Sequence, residues 1–347
     1  KVLITGNTGF KGAWLTIWLN SLGAKVFGLS KDIPSKPSLF EITDLKNFIN
    51  HTYCDIRNLD KTSSLINKIK PDFIFHMAAQ PIVKESYNNP VDTMSSNIMG
   101  TTNILEALRI SDFQCNVIMI TSDKCYDNVE WEWGYKETDP LGGKDPYSAS
   151  KGAAELIIKT YYESFFKSDN PRVKICSVRA GNVIGGADWA ADRLVPDMFR
   201  SWSIGKTVSI RSPHATRPWQ HVLEPLSGYL VCGLHLAKDC TLNGLSFNFG
   251  PDSDQNKTVL ELLNEINLYW NTQNQKKLYQ IEKNDEFHEA GLLKLNCDRA
   301  LHMLEWKPTM RFKDTVKFTA LWYNSYYNEK HVDMLDFTFK QILAFIF

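Results

Sequence analysis

Tyr147 and Lys151 stand four residues apart in Tyr147-Ser148-Ala149-Ser150-Lys151, a spacing that sets both on one face of a helix. A lysine ammonium beside a phenol favours the phenolate. That turns a group with a free pKa of about 10 into a base usable near neutrality. Such a pair occurs by chance in many helices. Thr121-Ser122 changes the weighting, because it falls at the expected end of a strand and Ser122 would donate to the same substrate hydroxyl.

These side chains need a scaffold that brings strand ends to helix starts. Short β-branched and apolar runs at Lys1–Thr5, Lys25–Ser30, Thr52–Asp55, Asp72–Ala78, Asn116–Ser122 and Val173–Arg179 read as strands. Gly12–Leu22, Asn58–Ile69, Val91–Arg109 and Tyr147–Phe166 between them read as helices. Alternation of this kind predicts an α/β doubly wound parallel (Rossmann) sheet covered on both faces. Chemistry in such sheets gathers at the carboxyl ends of the strands. Past residue 181 the rhythm breaks into Gly-, Asp- and Trp-rich loops at 181–192 and 209–221, with amphipathic helices expected at Thr258–Tyr269 and Phe312–Tyr326. The expected division is a Rossmann domain over residues 1–181 and a smaller, segmented substrate domain over 182–347, part of which returns to the sheet.

Thr5-Gly6-Asn7-Thr8-Gly9-Phe10-Lys11-Gly12 joins the first strand to the first helix. Glycines here permit a tight turn and close backbone approach, leaving helix amides aimed at a pyrophosphate. Alone, a Gly-x-x-Gly-x-x-Gly set is also compatible with an ordinary turn; its place in the chain favours the dinucleotide site. The second strand ends in Ser30-Lys31-Asp32, where Asp32 suits the ribose of NAD and Lys31 a 2′-phosphate. NAD is the preferred cofactor. Asp55 and the Ile56 amide, ending the third strand, would read the adenine edge. Ala78, Ala79 and Gln80, ending the fourth, let backbone pass close to the cofactor. Thr121, Tyr147 and Lys151 would border its reactive end.

Composition bounds the alternatives. The chain has 347 residues, 43% hydrophobic and 22% charged, with 39 basic against 39 acidic side chains. Zero net charge lacks the basic excess of a nucleic-acid binder, and no apolar run reaches membrane-spanning length. The seven cysteines form no Cys-x-x-Cys pair, and the histidines have no His-x-x-x-His spacing. A disulfide framework and a bound metal are therefore not expected, and a reducing, cytoplasmic compartment is. The chain opens on strand-like residues at Lys1 without an initiator Met, consistent with a trimmed sequence.

Gly6, Gly9, Gly12, Ser122, Tyr147 and Lys151 together resemble the extended short-chain dehydrogenase/reductases that act on nucleotide sugars. The stretch Thr121–Asn128, then Trp131-Glu132-Trp133-Gly134-Tyr135, Arg179–Gly186 and Asp188-Trp189 closely resemble the CDP-glucose 4,6-dehydratases. His288-Glu289-Ala290 and Leu293–Cys297 match as well, except that Asn296 stands where that family usually has an acid. The resemblance implies oxidation at C4 of the glucose with Tyr147 as base, loss of water across C5 and C6, and hydride return to C6. The product is a 4-keto-6-deoxy sugar. In related dTDP-glucose enzymes an Asp-Glu pair supplies the acid and base of elimination; here the pair is Asp123-Lys124. Asp123 suits the acid. Lys124 is a base if its pKa falls by several units, a fixed cation stabilising the enolate, or a partner neutralising Asp123.

For the substrate, Arg217 is the first candidate for the diphosphate, followed by Arg211 and Arg193, because a guanidinium binds phosphate bidentately. Asn182, His221 and His288 complete the expected substrate contacts. Cytosine rests on resemblance alone, so a dTDP- or UDP-glucose dehydratase stays open, as do a C4 epimerase and a cofactor-binding regulator. Asp123-Lys124 disfavours the epimerase and the intact Tyr–Lys pair the regulator. Surplus apolar residues on Val91–Leu108 and Tyr147–Phe166 predict a homodimer, the helices pairing across a two-fold axis as in the family. Met334–Phe347 lacks the basic face of a membrane anchor and is expected to pack within the protein or an interface.

Overall fold

The computed structural model describes residues 1–270, 278–282 and 292–347. Its central sheet contains β1 (Val2–Thr5), β2 (Val26–Ser30), β3 (Asn50–Tyr53), β4 (Phe73–His76), β5 (Cys115–Ile120), β6 (Val173–Ala180) and β7 (Ser246–Phe249). The spatial order is β7-β6-β5-β4-β1-β2-β3, and every neighbouring pair runs parallel. This is the doubly wound α/β fold that the alternating pattern predicts. The order reverses between β1 and β4, which opens a crevice at the carboxyl ends of those strands.

Side-chain alternation along the strands divides the core in two. Leu3, Ile74, Val117, Met119 and Ile175 face one side, with Ile104, Leu105, Leu108 and Ile158 from the helices Gly100–Arg109 and Pro146–Tyr161. Val2, Ile4, Ile118 and Val178 face the other, against Trp14 of α1 (Phe10–Ser21) and Leu226 of the helix Leu223–Lys238. Edge strand β3 is polar and largely exposed, as suits the edge of the sheet.

Two expected helices carry π turns. Val91–Arg109 resolves into Pro90–Met94, a π turn at Ser95–Met99, and Gly100–Arg109. Tyr147–Phe166 resolves into α2 (Pro146–Tyr161) and a π turn at Tyr162–Phe166. Beyond residue 181 the structure contains three helices that the sequence reading did not place: Leu194–Ser203, α3 (Leu223–Lys238) and Asp298–Leu304. Residues 209–221, expected as loop, contribute short strands at Thr216–Pro218 and Gln220–His221, paired with Asn256–Thr258 and Val183–Ile184.

Aromatic rings bind the later elements together. Phe199 stacks on Tyr323 with centroids 4.0 Å apart and meets Trp270 edge-on at 5.1 Å. Trp14 Nε1 donates to the Gly186 carbonyl at 2.9 Å, and a Cβ on Gly186 would fall 2.0 Å from the Trp322 ring. The C-terminal helix Met334–Ile346 packs on α1, with Phe345 edge-on to Trp18 at 5.8 Å. Among the described residues, no helix is long and apolar enough to cross a membrane.

Candidate active site

The turn after β1 is closed by backbone contacts that only glycine allows. Gly6 has φ +77°, and a Cβ there would lie 2.8 Å from the Ala78 amide nitrogen; on Gly12 it would lie 2.1 Å from the Gly6 carbonyl oxygen. Gly9 caps α1 without a side-chain hydrogen bond, so the helix opens on the amides of Phe10, Lys11 and Gly12. Such amides suit a phosphate. The turn is tied to the end of β2: the Thr8 hydroxyl donates to the Asp32 carbonyl at 2.7 Å, and Ser30 Oγ donates to Asn7 Oδ1 at 2.8 Å. Asp32 itself is exposed beside the turn. Asp55 binds Arg57 through both carboxylate oxygens, with Nη2 at 2.6 Å, and Ile56 packs under Gly100. These residues, with Ala78, Ala79 and Gln80, ring the crevice. The cradle fits a dinucleotide, whose pyrophosphate the three amides would hold.

The reactive groups converge at the ends of β5 and β6. Asp145 caps α2 by accepting from the Ser148 amide at 2.9 Å, and Pro146 occupies the first turn, where a missing N–H costs nothing. This start puts Tyr147 and Lys151 on the buried face, both under a tenth exposed. Burial pushes the Tyr147 phenol up to about 12, offset in part by a hydrogen bond with Ser122 and by the nearby Arg193 charge. Burial lowers Lys151 to about 8, against the opposing influence of Cys125 and Glu155. Arg193, which the four-residue spacing does not reveal, is thus a second cation that favours the phenolate. Arg193 in turn pairs with Asp188 at 2.9 Å.

Asp123 is 2% exposed and accepts a hydrogen bond from Ser122 Oγ at 2.9 Å. Its other oxygen lies over Gly181, where a Cβ would fall 1.8 Å away. Lys124 follows in the same turn, its amide donating to Ser122 Oγ at 3.3 Å, and among the described residues it makes no ion pair with Asp123. Thr121, next in line, donates to the Glu155 carboxylate. Glu155 also binds Arg179 through Nε at 2.9 Å and Nη2 at 2.8 Å, and Ser177 at 2.8 Å.

Several contributors carry no local signature. Asn97, inside the π turn, accepts from the Gln80 amide at 2.8 Å and donates to Ser150 Oγ at 2.8 Å, fixing the loop after β4 to α2. His76 bridges Thr5 at 2.8 Å and Thr101 at 3.3 Å. Thr5 Oγ1 already accepts from Met77 and Ala78, so its proton goes to His76 Nδ1 and Nε2–H donates to Thr101. Burial, reinforced by Lys151, takes His76 down to about 3, which keeps it neutral.

A cleft runs from Asp123 and Gly181 past Pro218 and Gln220 to Gly250, Asn256 and Lys294. Asn182, next to Gly181 in the chain, has φ +49°. Arg193 borders the phenol, whereas Arg211 is exposed and Arg217 lies in the strand Thr216–Pro218, donating to the Thr216 carbonyl at 2.9 Å. His221 requires a correction. It is fully buried between the edges of Trp14 and Phe318, at 5.8 and 5.6 Å, and faces core rather than cleft. His288 lies outside the described residues. Asn296 needs no charge: its Oδ1 accepts from the Asp298 amide at 3.1 Å at the start of a helix.

The fold and the Ser122–Tyr147–Lys151 arrangement define a short-chain dehydrogenase/reductase scaffold. The chain belongs to the GDP-mannose 4,6 dehydratase family, whose model matches residues 3–319. It is 44% identical to CDP-glucose 4,6-dehydratase of Salmonella typhimurium over 94% of this chain and 91% of that one. In fold it resembles UDP-glucose 4-epimerase of Thermus thermophilus in complex with NAD (22% identity, 93% and 98% of the two chains, TM-score 0.78). It also resembles dTDP-glucose 4,6-dehydratase of Bacillus anthracis in complex with NAD (20% identity, 96% and 99%, TM-score 0.76).

Proposed function

We propose that this chain is an NAD-dependent enzyme that dehydrates CDP-glucose to CDP-4-keto-6-deoxyglucose, a step of deoxysugar biosynthesis. The observation that carries the reading is Asp123, a buried carboxyl held by Ser122 over Gly181, beside the Tyr147–Lys151 pair. An epimerase needs only the pair; an eliminating enzyme also needs an acid at the sugar's C6 hydroxyl. The identity to the Salmonella enzyme supports the nucleotide and the reaction.

The amides of Phe10, Lys11 and Gly12 would hold the cofactor's pyrophosphate, with Thr8 and Asp32 at the adenosine end. When bound, NAD supplies a hydride acceptor for C4 and a donor for C6. Tyr147 takes the C4 hydroxyl proton, oriented by Ser122, while Arg193 and Lys151 favour the negative charge that forms. Asp123 protonates the departing C6 oxygen. Lys124, one residue on, supplies either a base for C5 or a cation for the enolate. Residues 1–181 with β7 serve the cofactor, and the remainder of 182–347 the nucleotide sugar, with Asn182 and Arg193 toward the sugar and phosphates.

Two identical chains would pair through the helices around Val91, Met99, Leu156 and Phe165, whose apolar side chains face solvent. Seven unbonded cysteines support a reducing compartment, the cytoplasm. Incubation with CDP-glucose and catalytic NAD, followed by NMR, tests the reaction. The expected product is CDP-4-keto-6-deoxyglucose without net reduced cofactor; no product from CDP-glucose, with turnover of another nucleotide sugar, would overturn the assignment. Light scattering should give twice 39.7 kDa.

A further inference from the structure

Lys11 belongs to the glycine-rich turn by sequence, but its side chain leaves that turn for the catalytic centre. The ammonium lies 6.0 Å from the centroid of the Tyr229 ring, on α3. Tyr229 is fully buried, and its hydroxyl has no hydrogen-bond partner among the described residues. Lys151 and Arg193 push the Lys11 ammonium down and Asp123 and Asp188 pull it up; with burial the largest influence, the balance lowers it to about 8. Among the described residues no carboxylate forms an ion pair with it. A cation without an ion pair and a phenol without a hydrogen bond thus stand side by side, within the electrostatic reach of Lys151 and Asp123.

A phosphate-binding lysine would point back at the amides of its own turn. Here the electrostatic neighbours are instead the groups of the hydride-transfer site. A dinucleotide held by the α1 amides with its reactive ring toward Tyr147 would bring that ring into the field of this cluster. That ring is cationic when oxidised and neutral when reduced. A fixed positive charge beside it disfavours the oxidised form relative to the reduced one, and so favours hydride uptake.

We propose that Lys11 is a further catalytic residue whose ammonium, set over the buried Tyr229 ring, biases the bound nicotinamide toward its reduced form. This rests on the NAD reading above. The role is distinct from that proposed for Lys151, which would favour the phenolate from α2. It also gives a reason for a lysine at this half-buried position flanked by Phe10 and Gly12, where desolvating a charge is costly.

The test is calorimetric titration of the full chain with NAD and, separately, with NADH, for wild type, Lys11→Met and Lys11→Arg. The expected result is that Lys11→Met improves binding of NAD relative to NADH by about tenfold, the order set by removing one charge several ångströms from another at intermediate dielectric. Lys11→Arg should keep the wild-type ratio. A Lys11→Met chain that loses affinity for both forms equally would make Lys11 a phosphate ligand and overturn the proposal, as would unchanged affinities. Failure of the wild-type chain to bind either form would overturn the NAD reading itself, and is distinguishable from both.

Discussion

The carboxylate of Asp123 rests on the bare Cα of Gly181: a methyl group there would lie 1.8 Å from Oδ2 and 2.6 Å from Oδ1. The end of β6 is thus shaped to receive the proposed acid. Gly181→Ala should push Asp123 away from Ser122 and slow elimination about a hundredfold or more, while C4 oxidation by Tyr147 persists. Reduced cofactor should accumulate on mixing with CDP-glucose, visible in its near-ultraviolet absorbance. Wild-type turnover in this variant would show that the carboxylate can move without consequence.

Much of this site was legible because its chemistry is tied to element ends. The Gly6, Gly9, Gly12 spacing, Ser122 after β5, and Tyr147 with Lys151 are local patterns whose meaning survives without tertiary detail. Asn97 was not legible, because the apolar periodicity of 91–109 reads as one regular helix and gives no sign of a π turn. The helix Leu223–Lys238 was missed since it is buried on most sides and shows no amphipathic stripe. His221 misled for a related reason. A histidine in an Arg- and Trp-rich stretch looks like a ligand, and its burial depends on Trp14 and Phe318, both remote in sequence.

Tyr147→Phe removes the proposed base and should lower C4 oxidation by about 10²–10⁴-fold. Because burial lifts the wild-type phenol to about 12, more than Ser122 and Arg193 lower it, the oxidation rate of wild type should climb as pH rises above neutrality. The variant should show a flat profile over the same range. Stopped-flow measurement of cofactor reduction across pH separates the two; a pH-dependent rise that survives in Tyr147→Phe would assign the base elsewhere.

Glu155 and Arg179 form an ion pair in which each side chain is 3% exposed. Burial alone would raise the carboxyl, but the Arg179 charge and hydrogen bonds from Arg179, Thr121 and Ser177 outweigh it and hold Glu155 below its ordinary value. Glu155→Gln leaves the guanidinium uncompensated, at a cost of about 3–5 kcal/mol. A carboxyl lowered in the folded state contributes stability that is complete above its unfolded value near 4.5 and is lost as pH falls through the folded one. The thermal midpoint of wild type should therefore converge on that of Glu155→Gln in acid. Parallel curves down to the acid limit would mean the pair adds no charge-dependent stability.

Lys151, of the proposed catalytic pair, presents the opposite case, a charge the fold tolerates at a cost. Burial brings it to about 8 from an ordinary 10.5, which means that holding the ammonium inside disfavours the folded state. The sign follows from proton counting. Between about 8 and 10.5 the unfolded chain binds more protons at this site, so stability rises with pH across that window; below about 8 the full penalty stands. A Lys151→Met chain escapes the penalty while keeping the volume of the stem. It should be more stable than wild type at neutral pH by on the order of 2–3 kcal/mol, with the advantage fading toward pH 10.5, and it should lack C4 oxidation. Denaturant unfolding at several pH values checks this. A variant less stable than wild type at neutral pH would mean that Glu155, one turn along α2, makes the ammonium a net support of the fold.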